Sequence, residues 1–80
     1  MKNTTQALVA QAVWVQRVRS GLSSEAELAR RVGMSPSGLS KRLNGDLRMN
    51  LVEVEQIAEA LGVDAFTLLD LARAEHLAAA

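Results

Sequence analysis

The sequence predicts an all-α fold, a compact bundle of about five helices, and three observations carry that expectation. Apolar residues recur at spacings of three and four rather than two, which is the period of a helix face. Glycine, proline and Asn or Asp residues interrupt these runs at short intervals, as helix stops and starts do. With 80 residues, 49% of them apolar, there is material for one small core and none for a second, so residues 1–80 are expected to form a single domain.

The first helix is expected from about Thr5 to Ser20, with Leu8, Ala12, Val15 and Val18 on one stripe and Val9, Val13 and Trp14 widening it. Trp14 is assigned to the core with Phe66 as its aromatic partner, because ring bulk suits a small bundle. Gly21 ends the helix. Ser24-Glu25-Ala26-Glu27 opens the second as a capping box, Ser24 capping the backbone amides while Glu27 reaches back. Leu28 and Val32 then face inward, and Gly33 supplies a left-handed stop.

Ser35-Pro36 starts the third helix, a cap followed by proline at the first helical position, where its missing N–H costs nothing. It is expected to run to about Asn44. Asn44-Gly45 is also a hairpin-turn pair, but Leu39, Leu43 and Leu47 repeat every four residues without alternating, which favours a helix stop. After the loop Asp46-Leu47-Arg48-Met49, Asn50-Leu51-Val52-Glu53 announces the fourth helix. Its apolar face is Leu51, Val54, Ile57, Ala58 and Leu61, its polar faces carry Glu53, Glu55 and Glu59, and Gly62 closes it. The fifth starts at an Asp64 cap and covers about 64–78. Its apolar residues Ala65, Phe66, Leu68, Leu69, Leu71, Ala72 and Leu77 exceed what one buried stripe can use, so part of it is expected to pair two protomers as a homodimer.

Composition narrows the function classes. The absence of cysteine excludes a disulfide framework and thiolate metal sites and points away from secretion. Met1 to Gln6 carry one positive charge, and Gln11, Gln16, Arg17 and Arg19 interrupt the apolar stretch beyond them, so neither a signal peptide nor a membrane span is expected and the localisation is read as cytoplasmic. His76, the sole histidine, has no second ligand or nucleophile at useful spacing and is read as solvent-facing. With no phosphate-cradling glycine loop and no Ser/His/Asp set, the expectation is a protein without enzymatic activity, metal, cofactor or small-molecule ligand.

A net charge of zero argues against a nucleic-acid partner, since neutralising phosphate is the main source of sequence-independent affinity. The distribution argues the other way. Up to position 48, eight basic residues (Lys2, Arg17, Arg19, Arg30, Arg31, Lys41, Arg42, Arg48) stand against three acidic ones, and from Met49 onward Arg73 stands against six. Such asymmetry marks one anion-facing side, although solvated charge gives the same pattern.

The second and third helices meet at Gly33-Met34-Ser35, a short glycine-containing turn of helix-turn-helix type. Ala29 must be small because the next helix crosses it, and Leu39 and Leu43 seat that helix. At 100° per residue Ser37, Lys41 and Asn44 fall opposite the Leu39/Leu43 stripe. A short, polar, basic face of this kind suits a major groove, and a merely solvated helix face would look the same.

Leu28-Ala29, Gly33, Ser35, Leu39-Ser40, Asn44-Gly45 and Ala60-Leu61-Gly62-Val63 all fall in register with a known pattern. From about Ser24 to Val63 the chain resembles the helix-turn-helix domain of phage repressors and Cro proteins, also called the xenobiotic-response-element family. The resemblance implies a lambda-repressor-like five-helix bundle and a transcriptional regulator from a bacterium, phage or prophage that binds double-stranded DNA at a palindromic operator as a two-fold dimer. Position by position it implies that Pro36, Ser37 and Lys41 face the bases and that Ser40 and Asn44 lie near the sugar-phosphate backbone. Arg48 reaches phosphate from the loop after the helix, and Arg31 adds to the backbone set. Three departures matter. Glu25 stands where Gln is common, Arg42 stands where an apolar residue is usual and is thereby freed for the DNA backbone, and Leu43 replaces by packing a Glu that pairs with an Arg of helix one. A rival reading is a protein-interaction module, an antitoxin-like helix-turn-helix protein binding a partner protein, which the zero net charge and Glu25 favour.

Overall fold

The computed structural model describes residues 4–22 and 24–79; Met1 to Asn3, Ser23 of the Gly21-Leu22-Ser23 connection, and Ala80 lie outside the described residues. Among the described residues there are five α-helices and no strands: α1 Thr4–Arg19, α2 Glu25–Val32, α3 Pro36–Leu43, α4 Leu51–Ala60 and α5 Ala65–Ala79. The ends are set by local chemistry. Ser24 and Ser35 each accept the backbone N–H three residues on, from Glu27 and Gly38, at 3.2 and 2.9 Å. Asp64 caps α5 in the same way, accepting the Thr67 N–H at 2.7 Å. Gly33, at φ 74°, stops α2 in a left-handed conformation that a side chain would strain, and the Met34 N–H returns to the Ala29 carbonyl. The Glu27 carboxylate, expected to complete a capping box, takes Arg30 and Arg31 one turn further along. A complete capping box forms at α4 instead, where Asn50 and Glu53 bond each other's backbone N–H.

One core joins all five helices: Val9, Ala12 and Val13 of α1, Leu28 and Ala29 of α2, Leu39 of α3, Val54, Ile57 and Ala58 of α4, Leu68 and Ala72 of α5, with Leu22 and Leu61 from the connections. Each set recurs at three and four residues, so each helix offers one face. The α1 face is turned from the expected stripe. Val9, Ala12 and Val13 point inward while Val18 is exposed.

The aromatic pair is a correction. Trp14 is 61% exposed and Phe66 79% exposed, so neither ring is in the core. Leu28, Leu39, Ile57, Leu68 and Val13 fill the interior without a ring. Leu51, assigned to the apolar face of α4, is also exposed, because in the first turn of α4 it lies on the rim of a cleft bordered by Thr5, Val9, Val54 and Leu69 instead of in the core. His76 is exposed, and no helix among the described residues is long and apolar enough to cross a membrane.

Leu39→Ala, at a fully buried site, should cost about 2–5 kcal/mol of unfolding free energy, whereas Trp14→Ala should change it by about 0.5 kcal/mol or less. Urea denaturation of both variants checks the contrast; equal losses would put Trp14 in the core.

Candidate nucleic-acid interface

The helix α3 presents two sides. Leu39 is fully buried and Leu43 packs on the core, while Pro36, Ser37, Lys41 and Asn44 are exposed and Ser40 is half-buried between them. Ser37, Lys41 and Asn44 therefore share the outer surface of one short helix whose inner side is pinned, while Pro36 is exposed at its first turn, seven residues ahead of Leu43 and on the Leu43 side. Among the described residues, Lys41 and Arg48 are exposed cations with no ion-pair partner. Asn44 uses its side-chain oxygen to accept the Asp46 N–H at 3.1 Å, folding the loop back at the end of the helix.

Two internal ties hold this helix and the loop after it. Arg42 donates from Nε to Glu53 Oε2 at 2.7 Å and from Nη1 to the Gly38 carbonyl at 2.9 Å, with side chains 24% and 15% exposed in the Arg42–Glu53 pair. Glu53 Oε1 meanwhile accepts the Asn50 N–H at 3.0 Å. A single carboxylate thus joins α3 to the start of α4. The expectation that Arg42 is freed for the DNA backbone is corrected here: its charge is answered by Glu53, and its guanidinium lies along α3. Gly38 makes room for this, since a Cβ there would lie 2.9 Å from the Ser35 hydroxyl and 3.3 Å from Arg42 Nη1.

Gln6 forms the second tie. From α1 its amide nitrogen donates to the carbonyls of Arg42 at 2.8 Å and Leu47 at 2.6 Å, and its oxygen accepts the Met49 N–H at 3.2 Å. Both ends of the 44–49 loop are thereby fixed, and Arg48 sits within it. Sequence reasoning did not single out Gln6 or the pairing of Arg42, because their partners are backbone atoms and a carboxylate distant along the chain.

Arg31 has a different setting. It pairs with Glu27 at 3.5 Å and lines a cleft with Gln56, Glu59 and Ala60 of α4, so its near neighbours include two carboxylates. Glu25 borders a second cleft that includes Trp14 and Arg17 of α1. Leu43 lies in that cleft beside Ala7 and Ala10, an apolar contact where the resemblance puts an ion pair.

A family model described as a helix-turn-helix domain matches residues 15–74, from the middle of α1 through most of α5. The chain belongs to this helix-turn-helix domain family. Its members are DNA-binding domains, and the matched span contains both motif helices, α2 and α3, with the turn at Gly33. No curated protein matches the chain.

In the helix-turn-helix domain, a double-mutant cycle of Arg42→Met and Glu53→Gln should give a coupling of about 1–2 kcal/mol, since charge-assisted bonds with little solvent exposure are lost by either change. Zero coupling would mean that the pair does not hold α3 to α4. Gln6→Ala should remove the hydrogen-exchange protection of the Met49 amide while amides in the centre of α4 stay protected.

Proposed function

We propose that this helix-turn-helix domain is a sequence-specific transcriptional regulator of the phage repressor or Cro type, binding a palindromic operator in double-stranded DNA as a two-fold dimer. The observation that carries the reading is α3 itself: Leu39 fully buried on one side, Ser37, Lys41 and Asn44 together on the solvent side, and Pro36 exposed at the first turn. On this reading α3 is the recognition helix. Small residues at its start permit close approach to base edges, and Lys41, on a flexible stem, reaches the O6 and N7 acceptors of guanine. Ser40, Asn44 and Arg48 contact sugar and phosphate, setting register without reading sequence. Arg31 contributes phosphate contact only where it exchanges Glu27 for DNA, and Arg42 serves by positioning α3.

A second reading, binding to a partner protein as antitoxin-like members do, is favoured by one observation. Arg30, Arg31 and Arg42 are all engaged by carboxylates, which leaves less free positive charge for phosphate than the sequence suggests.

Two measurements separate the readings, using duplexes selected from a random pool as the cognate site. With at most about four cations brought against the DNA per protomer, Arg30, Arg31, Lys41 and Arg48, log K against log salt should fall with a slope no steeper than about −7 for a dimer. A slope near zero would remove the electrostatic part of the proposal. Lys41→Ala should cost roughly 1–3 kcal/mol on the cognate duplex and relax preference at one base pair, whereas Arg48→Ala should weaken cognate and scrambled DNA about equally. If Lys41→Ala, still folded, binds both as the parent does, the groove assignment of α3 is wrong and the partner-protein reading replaces it.

A further inference from the structure

We infer that the cleft where α1, α2 and the end of α3 meet binds a free α-amino acid with a large apolar side chain, its carboxylate held by Arg17 and its ammonium by Glu25. The expectation of no small-molecule ligand rested on short sequence motifs, whereas this cleft is assembled from three separate helices.

The cleft holds about 280 Å³. Ligand cavities run from roughly 300 to 1,000 Å³, so its occupant is small. Val13 and Leu28, both buried, and the half-buried Ala10 and Leu43 border it with apolar surface. Trp14 is largely exposed and lines both this cleft and a second one with Val15 and Glu75, so the indole stands as a wall between the two. Such a wall offers a flat apolar face against which a ring or a branched side chain can lie.

Two charges of opposite sign line the same cleft, and neither has an ion-pair partner among the described residues. Arg17 is half-buried and spends one N–H on the Leu22 carbonyl at 3.1 Å, while its other donors have no partner among the described residues. A guanidinium placed beside Leu28 and Leu43 gains most from a carboxylate, which its planar fork can hold through two bonds. Glu25, exposed at the start of α2, does not reach Arg17, so a gap separates the two charges that a ligand carrying both can bridge. Charge complementarity then selects the occupant. A simple acid meets repulsion from Glu25, a simple amine meets repulsion from Arg17, and a phosphate brings still more negative charge against Glu25. An α-amino acid carries carboxylate, ammonium and an apolar branch on one carbon, matching the three features of the cleft.

The test uses the whole chain without DNA, so its outcome is separate from that of the DNA-binding reading. Trp14 is the sole tryptophan, so its fluorescence reports on the cleft alone. Titration with phenylalanine should change that emission saturably, with a Kd on the order of 1 mM for so small a ligand in an open cleft. The amide resonances of Ala10, Trp14 and Leu43 should shift with it. 3-Phenylpropionate, which lacks the ammonium, and phenethylamine, which lacks the carboxylate, should each bind about tenfold more weakly. Arg17→Gln should weaken phenylalanine about tenfold and leave phenethylamine binding no worse, because the lost partner is the carboxylate's. Glu25→Gln should weaken phenylalanine and strengthen 3-phenylpropionate. A loss of structure would instead weaken all three probes together and show in circular dichroism; if Arg17→Gln fails to fold, Glu25→Gln, at an exposed position, carries the same test. Emission and amide shifts that stay constant up to tens of millimolar phenylalanine, or phenethylamine binding as well as phenylalanine, would overturn the site. So would a response to inorganic phosphate as strong as that to phenylalanine, which would make Arg17 a contact for DNA phosphate instead.

Discussion

An eight-residue helix cannot hold itself in water, because the cost of nucleating the first turn outweighs the few hydrogen bonds that it then gains. Both motif helices of this domain are that short. Everything the outer face of α3 presents therefore depends on docking of its inner face, and Leu39, fully buried with Leu28 and Ala29 of α2, supplies it. The small side chain at Ala29 permits a close approach of α2 to its neighbours, and the left-handed Gly33 redirects the chain at once into α3. Caps at Ser24 and Ser35 satisfy amides that so short a helix would otherwise leave open.

Apolar burial is non-directional and by itself leaves a helix free to roll about its buried residue. Hydrogen bonds remove that freedom. Glu53 commits one oxygen to Arg42 of α3 and the other to the amide of Asn50, the cap just ahead of its own helix, so the orientation of α3 and the start of α4 are set by one group. Gln6 does the same for the loop, clamping Arg42, Leu47 and Met49 through their backbones. This rigidity consumes charge: Arg42 is withdrawn from the surface, and Arg30 and Arg31 are matched by Glu27. On the proposed reading, recognition then rests on placement of a few α3 side chains more than on a broad positive field, consistent with a chain whose net charge is zero.

The five helices and their ends were legible because helix starts and stops are local events. A Ser, Asn or Asp cap acts on an amide three residues away, and a left-handed glycine acts on the turn that precedes it, so Ser24, Gly33, Ser35, Asn50 and Asp64 declare their roles within a few residues. The exposed face of α3 was legible for the same reason, since one buried leucine and a fixed angular step place Ser37 and Lys41 opposite it. The fate of Trp14 and Phe66 was not. Both are apolar and suited to a core, but a domain this small has more apolar side chains than interior positions, and the angles at which helices cross decide which stay outside.

The sequence by itself determined the all-α class, the order and limits of the helices, the helix-turn-helix turn at Gly33 and the polar face of α3, because each arises from periodicity or from contacts within one turn. Only the tertiary structure decided that Arg42 is a strut to Glu53 instead of a free cation, that Gln6 anchors a loop more than forty residues away, and that α5 keeps Phe66 and Leu77 in solvent. These depend on which surfaces meet when the helices pack, and no local rule along the chain carries that information.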